Sequence, residues 1–134
     1  MMEEVQHHIR CRKGDVARYV LLPGDPARVK IIAEFFDESW KVAENREYIT
    51  YTGKVDGIPI SVTSTGIGCP AATIAAEELI NVGAEVLIRV GTSGGIDPSI
   101  RGSEIVVAQA AVRSDGATKE YITIEYPAVA DIDV

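Results

Sequence analysis

The stretch Val20-Leu21-Leu22-Pro23-Gly24-Asp25-Pro26-Ala27-Arg28 shows the architecture of the chain in miniature. The apolar run from Arg18 to Leu22 stops at Pro23-Gly24 and reads as a buried strand. Asp25-Pro26 then starts a helix, because an aspartate can cap free amides and proline is tolerated in the first turn. Val29, Ile32, Ala33 and Phe36 recur at helical spacing and give that helix one buried face. A strand that feeds straight into a helix is the unit of a layered α/β sheet.

Downstream, Glu47 to Val55 and Ile58 to Thr65 read as two strands around Asp56-Gly57, a strong hairpin signal. After Gly66-Ile67-Gly68, Pro70 opens a second helix that runs through Val82 and stops at Gly83. Glu85 to Val90 reads as the next buried strand, and Glu104 to Val112 as another beyond a glycine-rich loop. Strands alternating with helices predict an α/β sheet, and the hairpin makes it mixed rather than purely parallel. Upstream, Met1 to Lys13 is polar and reads as an arm outside the core. At the far end, Pro127 to Asp133 resembles a loop entering a helix cap, so the chain is expected to be the N-terminal part of a longer protein.

The 134 residues fit one domain, with 46% hydrophobic and 25% charged residues. A formal charge of −7 argues against nonspecific nucleic-acid binding, which needs a basic face. Cys11 and Cys69 stand far apart with no CxxC or Cys/His cluster, so they read as free thiols rather than a zinc or disulfide framework. No apolar run approaches the roughly 18 residues of a membrane span, and the charged start is no signal peptide. The expected location is the cytoplasm, with no membrane partner.

Two glycine turns that bear arginine carry the chemistry. Val20 to Arg28 is the first and Val86 to Ile96, VLIRVGTSGGI, the second. Gly24 lets a ligand approach the backbone closely, and Arg28 falls in a first helical turn, where amides and the helix dipole favour anions. The competing reading of that corner is a tight turn with Arg28 solvated. Arg89 ends an apolar strand, and a buried arginine needs either an anionic ligand or a core carboxylate. Thr92 and Ser93 add hydroxyls, while Gly91, Gly94 and Gly95 free the backbone. Both corners lie at carboxyl ends of strands, where open α/β sheets collect ligands.

Other motifs are weaker. TGIGCPA fits GxGxxA, but the next strand ends in Gly91 rather than an acid, and Pro70 removes an amide donor. No GxxxxGK[ST] occurs. On local grounds, His7 and His8 read as a solvated pair, Arg46 as an exposed charge, and Arg113 to Gly116 as a strand end and turn.

In order along the chain, HIRCRKGD, LLPGDPAR, ENREYITYTG, TGIGCPA, LIRVGTSGGI and VRSDGA resemble the nucleoside phosphorylase family of uridine and hexameric purine nucleoside phosphorylases. The resemblance runs from His8 to Val134, and VRSDGATKEY followed by YPAVADID looks most like the uridine phosphorylase branch. It implies a three-layer α/β/α fold with a mixed central sheet, of which residues 1–134 are the N-terminal part of a single domain. The implied reaction is reversible phosphorolysis of a nucleoside, uridine first and a purine nucleoside as the alternative, to free base and ribose 1-phosphate. Gly24, Arg28, Arg89 and Thr92 match phosphate-binding positions, with Thr92 also near the ribose. Arg46 matches an arginine that reaches a neighbouring subunit's phosphate, and His8 a histidine donated toward a neighbour's ribose 5′-hydroxyl. Nucleoside and phosphate are thus the expected partners, in a homo-oligomer that is at least a dimer and by family a hexamer. Phosphate is a co-substrate, and neither a metal nor an organic cofactor is implied. The resemblance puts the base pocket and the main catalytic candidates beyond Val134, so negligible phosphorolysis is expected of the isolated chain. A non-catalytic phosphate-binding or assembly module is the reading from another class.

Overall fold

The computed structural model describes residues 4–134, which divide into two compact units, the first ending at Gly91 and the second Thr92–Val134. In the first, β1 (Tyr19–Leu22), β2 (Glu38–Asn45), β3 (Tyr48–Val55), β4 (Ile58–Thr63) and β5 (Val86–Arg89) form one sheet in the order β2-β3-β4-β1-β5. β1 lies parallel to β4 and β5, with Tyr19 opposite both Ile60 and Val86. β2, β3 and β4 pair antiparallel, so the sheet is mixed, as the sequence predicts. The β3–β4 turn holds Asp56 at φ 50° and Gly57 at φ 78°, the left-handed pair that a two-residue hairpin of this twist demands.

Helices α1 (Pro26–Ala33) and α2 (Cys69–Asn81) flank the sheet. The Asp25 carboxylate accepts the Ala27 amide at 2.9 Å and Pro26 opens α1, so the predicted start holds. The helix stops at Ala33, and Phe36 reaches the same apolar cluster from the turn beyond. Alternation along β1 sorts the two helices. Val20 and Leu22 pack with Ala75, Leu79 and Val82 on the α2 side, whereas Leu21 packs with Val29 and Ala33 of α1. The helices therefore cover opposite faces, the α/β/α arrangement that the resemblance implies.

Four expectations need correction. Residues 1–3 of the supposed polar arm lie outside the described residues, but Ile9 and Cys11 are fully buried against α2 rather than solvated. A polar ladder carries the neighbouring segment onto the sheet: Thr52 Oγ1 donates to the Asp15 carbonyl at 2.8 Å, and Ser61 Oγ accepts the Ala17 amide at 2.8 Å. Secondly, Glu38–Asn45 is a strand that the sequence reading omits. It is an edge strand with a register shift between Lys41 and Ala43, and its charged residues blunt that edge. Thirdly, β5 is the other edge rather than a buried strand, and Ile88 and Arg89 at its end are exposed.

The fourth correction lies in the second unit, described by itself. Of the run Glu104 to Val112, only Ala110–Ala111 is a strand (β6), paired antiparallel with Ala128–Val129 (β7). Ile105, Val106 and Val107 are exposed, because apolar β-formers make a strand only where a neighbour supplies the ladder. Arg113 closes the loop between the two short strands. Its Nη1 donates to the Thr123 and Tyr126 carbonyls, its Nη2 to those of Thr118 and Ile122, and its Nε to Thr118 Oγ1. Asp115, just before the 3-10 turn Thr118–Glu120, accepts the Thr118 amide at 2.8 Å.

Candidate functional site

Because β1, β4 and β5 run parallel, their carboxyl ends share one edge of the sheet. Three segments leave that edge together, Pro23-Gly24, Thr65 to Gly68, and Val90-Gly91. The Thr65 amide donates to the Pro23 carbonyl at 3.0 Å and the Val90 amide to that of Leu22 at 3.1 Å, which ties the three ends into one rim.

Arg89 folds back across this rim. Its Nη1 donates to the Leu22 carbonyl at 2.7 Å, while Nη2 rests against Gly24. A Cβ on Gly24 would stand 2.9 Å from Nη2 and 3.4 Å from the Gly66 carbonyl oxygen, so only glycine leaves the guanidinium in place. The sequence predicts a buried Arg89 that needs an anion or a core acid. The structure corrects the burial: on an edge strand the side chain is exposed, and among the described residues of this unit it meets a backbone carbonyl rather than a core acid. A guanidinium carries five N–H donors, and those not given to Leu22 have no acceptor among the described residues of this unit.

Arg28 follows Gly24 by four residues, in the first turn of α1. It is half-buried; its amide donates to the Asp25 carbonyl at 3.1 Å, while its side chain makes no hydrogen bond or ion pair among the described residues of its unit. Gly24, Arg28 and Arg89 therefore sit on one strand-end rim, with most of the guanidinium donors uncommitted. Thr92 opens the second unit, where it and Ser93 are exposed.

Arg46 and Glu47 form the two-residue turn between β2 and β3, with Asn45 opposite Tyr48. Arg46 takes φ 54° and projects from the exposed tip, without a hydrogen-bonding partner among the described residues of the unit. Ser64 Oγ donates to the Glu47 carbonyl at 2.6 Å and accepts the Ile49 amide at 2.8 Å, fixing this turn to the end of β4. The Glu47 side chain lies over Gly66, where a Cβ would meet its Cγ at 2.7 Å.

His8 is no solvated residue. Its Nδ1 lies 2.6 Å from Glu78 Oε1, its amide reaches both carboxylate oxygens, and the Ile9 amide donates to Oε2 at 2.8 Å. Asn45 Nδ2 donates to the His8 carbonyl at 2.7 Å. Burial pushes the Glu78 carboxyl up, but the Ile9 amide, the His8 ring and the His8 amide outweigh it and hold the group below its ordinary value. The sequence reading overlooks Glu78. Its signal is an acid on the apolar stripe Ala75, Leu79, Val82, a place where a charge needs partners. Burial pushes the Cys11 thiol up to about 11, so it stays a neutral core residue.

The rim can hold a tetrahedral oxyanion by bidentate, charge-assisted bonds. Comparisons with known proteins show the family. Residues 18–134 match the Phosphorylase superfamily. A uridine phosphorylase of Thermococcus kodakarensis is 56% identical over 132 residues, covering 98% of this chain and 48% of its own length. One of Treponema pallidum is 50% identical over 131 residues, covering 98% and 51%. Among solved structures, the purine nucleoside phosphorylase of Toxoplasma gondii in complex with immucillin-H superimposes with a TM-score of 0.93 at 41% identity, covering 98% of this chain and 53% of that one. The chain thus spans about half the length of the relatives it matches.

Proposed function

Because this chain belongs to the phosphorylase superfamily, we propose that it supplies the phosphate-holding part of a cytoplasmic nucleoside phosphorylase, with uridine as the nucleoside. The observation that carries this reading is the Gly24–Arg89 contact on the strand-end rim, with Arg28 in the adjoining helical turn. Arg28 and Arg89 hold inorganic phosphate below the ribose. A phosphate oxygen forms a bond to C1′ as the C1′–N bond to the base breaks, and the base leaves with the electron pair and takes up a proton. Positive charge develops on the sugar in between. The guanidinium groups align the nucleophile, which itself opposes that charge. No metal or organic cofactor takes part.

In this reading Arg46 and His8 serve the site of a neighbouring subunit. The exposure of Arg46 at a hairpin tip, with its donors uncommitted, supports that role. The minimal active unit is a homodimer, and the assembly a hexamer. Uridine as substrate is supported by the two uridine phosphorylase relatives, and a purine nucleoside by the Toxoplasma gondii structure.

The test is a chimera in which this chain replaces the matching segment of the Thermococcus kodakarensis relative. Phosphate-dependent release of uracil from uridine, faster than of hypoxanthine from inosine, is the expected result. The reverse preference selects the purine reading. Phosphate binding without release of any base contradicts both and leaves a phosphate-binding module.

A further inference from the structure

The His8–Glu78 contact joins two segments 70 positions apart in sequence. Glu78 sits on the buried stripe of α2, and its side chain is only 12% exposed. Three donors converge on it: the His8 amide, the Ile9 amide and the His8 ring. An ionised carboxylate has no proton to give, so the ring nitrogen facing it must be the donor. Nδ1 therefore carries the proton, and in the neutral ring Nε2 is left with a bare lone pair. Nε2 has no hydrogen-bond partner among the described residues of the unit. The other groups around the ring are His7, with ring centroids 4.8 Å apart, and Tyr48, at 6.4 Å. Neither competes for Nδ1. Asn45, by binding the His8 carbonyl, fixes the backbone from the opposite element.

We propose that Glu78 is a positioning residue, whose carboxylate locks the His7–Ile9 segment onto α2 and sets His8 as an Nδ1–H ring with Nε2 as a hydrogen-bond acceptor. A ring set this way recognises a donor, so it accepts from a hydroxyl on the sugar and gives nothing to a thioether or methyl in the same place. This consequence rests on reading His8 as a ribose contact; the lock itself does not.

The test reads the tautomer directly, by long-range 1H–15N NMR of the His8 ring in the 134-residue chain, at a pH where the ring is neutral. We expect Nδ1–H in at least about tenfold excess, the ratio that a hydrogen bond to an ionised group sustains. In Glu78→Gln the side-chain amide can donate to Nδ1, and the ring switches to Nε2–H. Glu78→Asp retains a carboxylate and restores Nδ1–H. Should Glu78→Gln fold poorly, the wild-type and aspartate spectra still decide. A wild-type ring protonated mainly at Nε2 overturns the proposal, as does a tautomer ratio that Glu78→Gln leaves unchanged. The sample contains no nucleoside, so failure of the phosphorylase reading would leave this result untouched.

Discussion

Arg89 ends β5 and Arg113 follows β6 by two residues, and the same side chain is put to opposite use at the two places. Arg113 gives five hydrogen bonds to its own loop, four of them to backbone carbonyls. Arg89 gives one, to the Leu22 carbonyl, and lies open beside Gly24. A guanidinium whose donors are all committed organises the chain, whereas one whose donors stay free is available to an anion. The contrast separates an arginine committed to its own loop from one left available to a ligand.

The comparison breaks most visibly at the structural end. Arg113→Ala removes all five bonds and should cost the second unit about 3 kcal/mol, since such bonds are each worth about 1 kcal/mol and do not add fully. Hydrogen exchange of the 114–126 amides reads this as lost protection, with the first unit unaffected. Protection that survives the substitution would mean that Arg113 is no hub.

Glu78→Ala should cost slightly less, about 1.5–3 kcal/mol in urea denaturation, because it strands the His8 and Ile9 donors. Its pH dependence is equally specific. The folded Glu78 titrates below its ordinary 4.5, so its contribution is complete above 4.5 and fades as pH falls toward the folded value. The wild type therefore loses stability over that acid interval, and Glu78→Ala loses correspondingly less.

Gly24→Ala sharpens the contrast, since it separates stability from binding. The new Cβ clashes with the far end of Arg89, which can swing away, and stands 3.4 Å from the Gly66 carbonyl oxygen, an ordinary contact, so stability should change by less than about 1 kcal/mol. Phosphate affinity should fall roughly tenfold, because the displaced guanidinium loses its alignment. A large stability loss with affinity intact would make Gly24 a packing residue. Arg46→Ala is the smallest change, within about 0.5 kcal/mol for the isolated chain. Its effect should appear only in the assembled chimera, as a raised KM for phosphate.

The parts of the fold legible in the sequence are those that local chemistry dictates. Asp25-Pro26 announces α1, Asp56-Gly57 the hairpin and Gly83 the end of α2, and all three stand where expected. What escaped depends on distant partners. The burial of Ile9 and Cys11 requires α2, some 70 positions away, and no local pattern marks it. The exposure of Arg89 follows from the position of β5 at a sheet edge, which a run of apolar residues cannot reveal. β2 was missed because an edge strand with charges at Glu38, Lys41 and Glu44 lacks the alternation of a half-buried one. As to the site, Gly24 and Arg89 were legible and meet. Glu78 announced itself only as an acid among apolar neighbours.

The central claim, that the strand-end rim holds phosphate, is tested most directly by calorimetric titration of the 134-residue chain with inorganic phosphate, beside Arg89→Gln and Arg28→Gln. The account predicts saturable binding to the wild type that weakens with added salt, and at least a roughly tenfold loss in each variant with folding retained. Equal phosphate binding by wild type and both variants would contradict it.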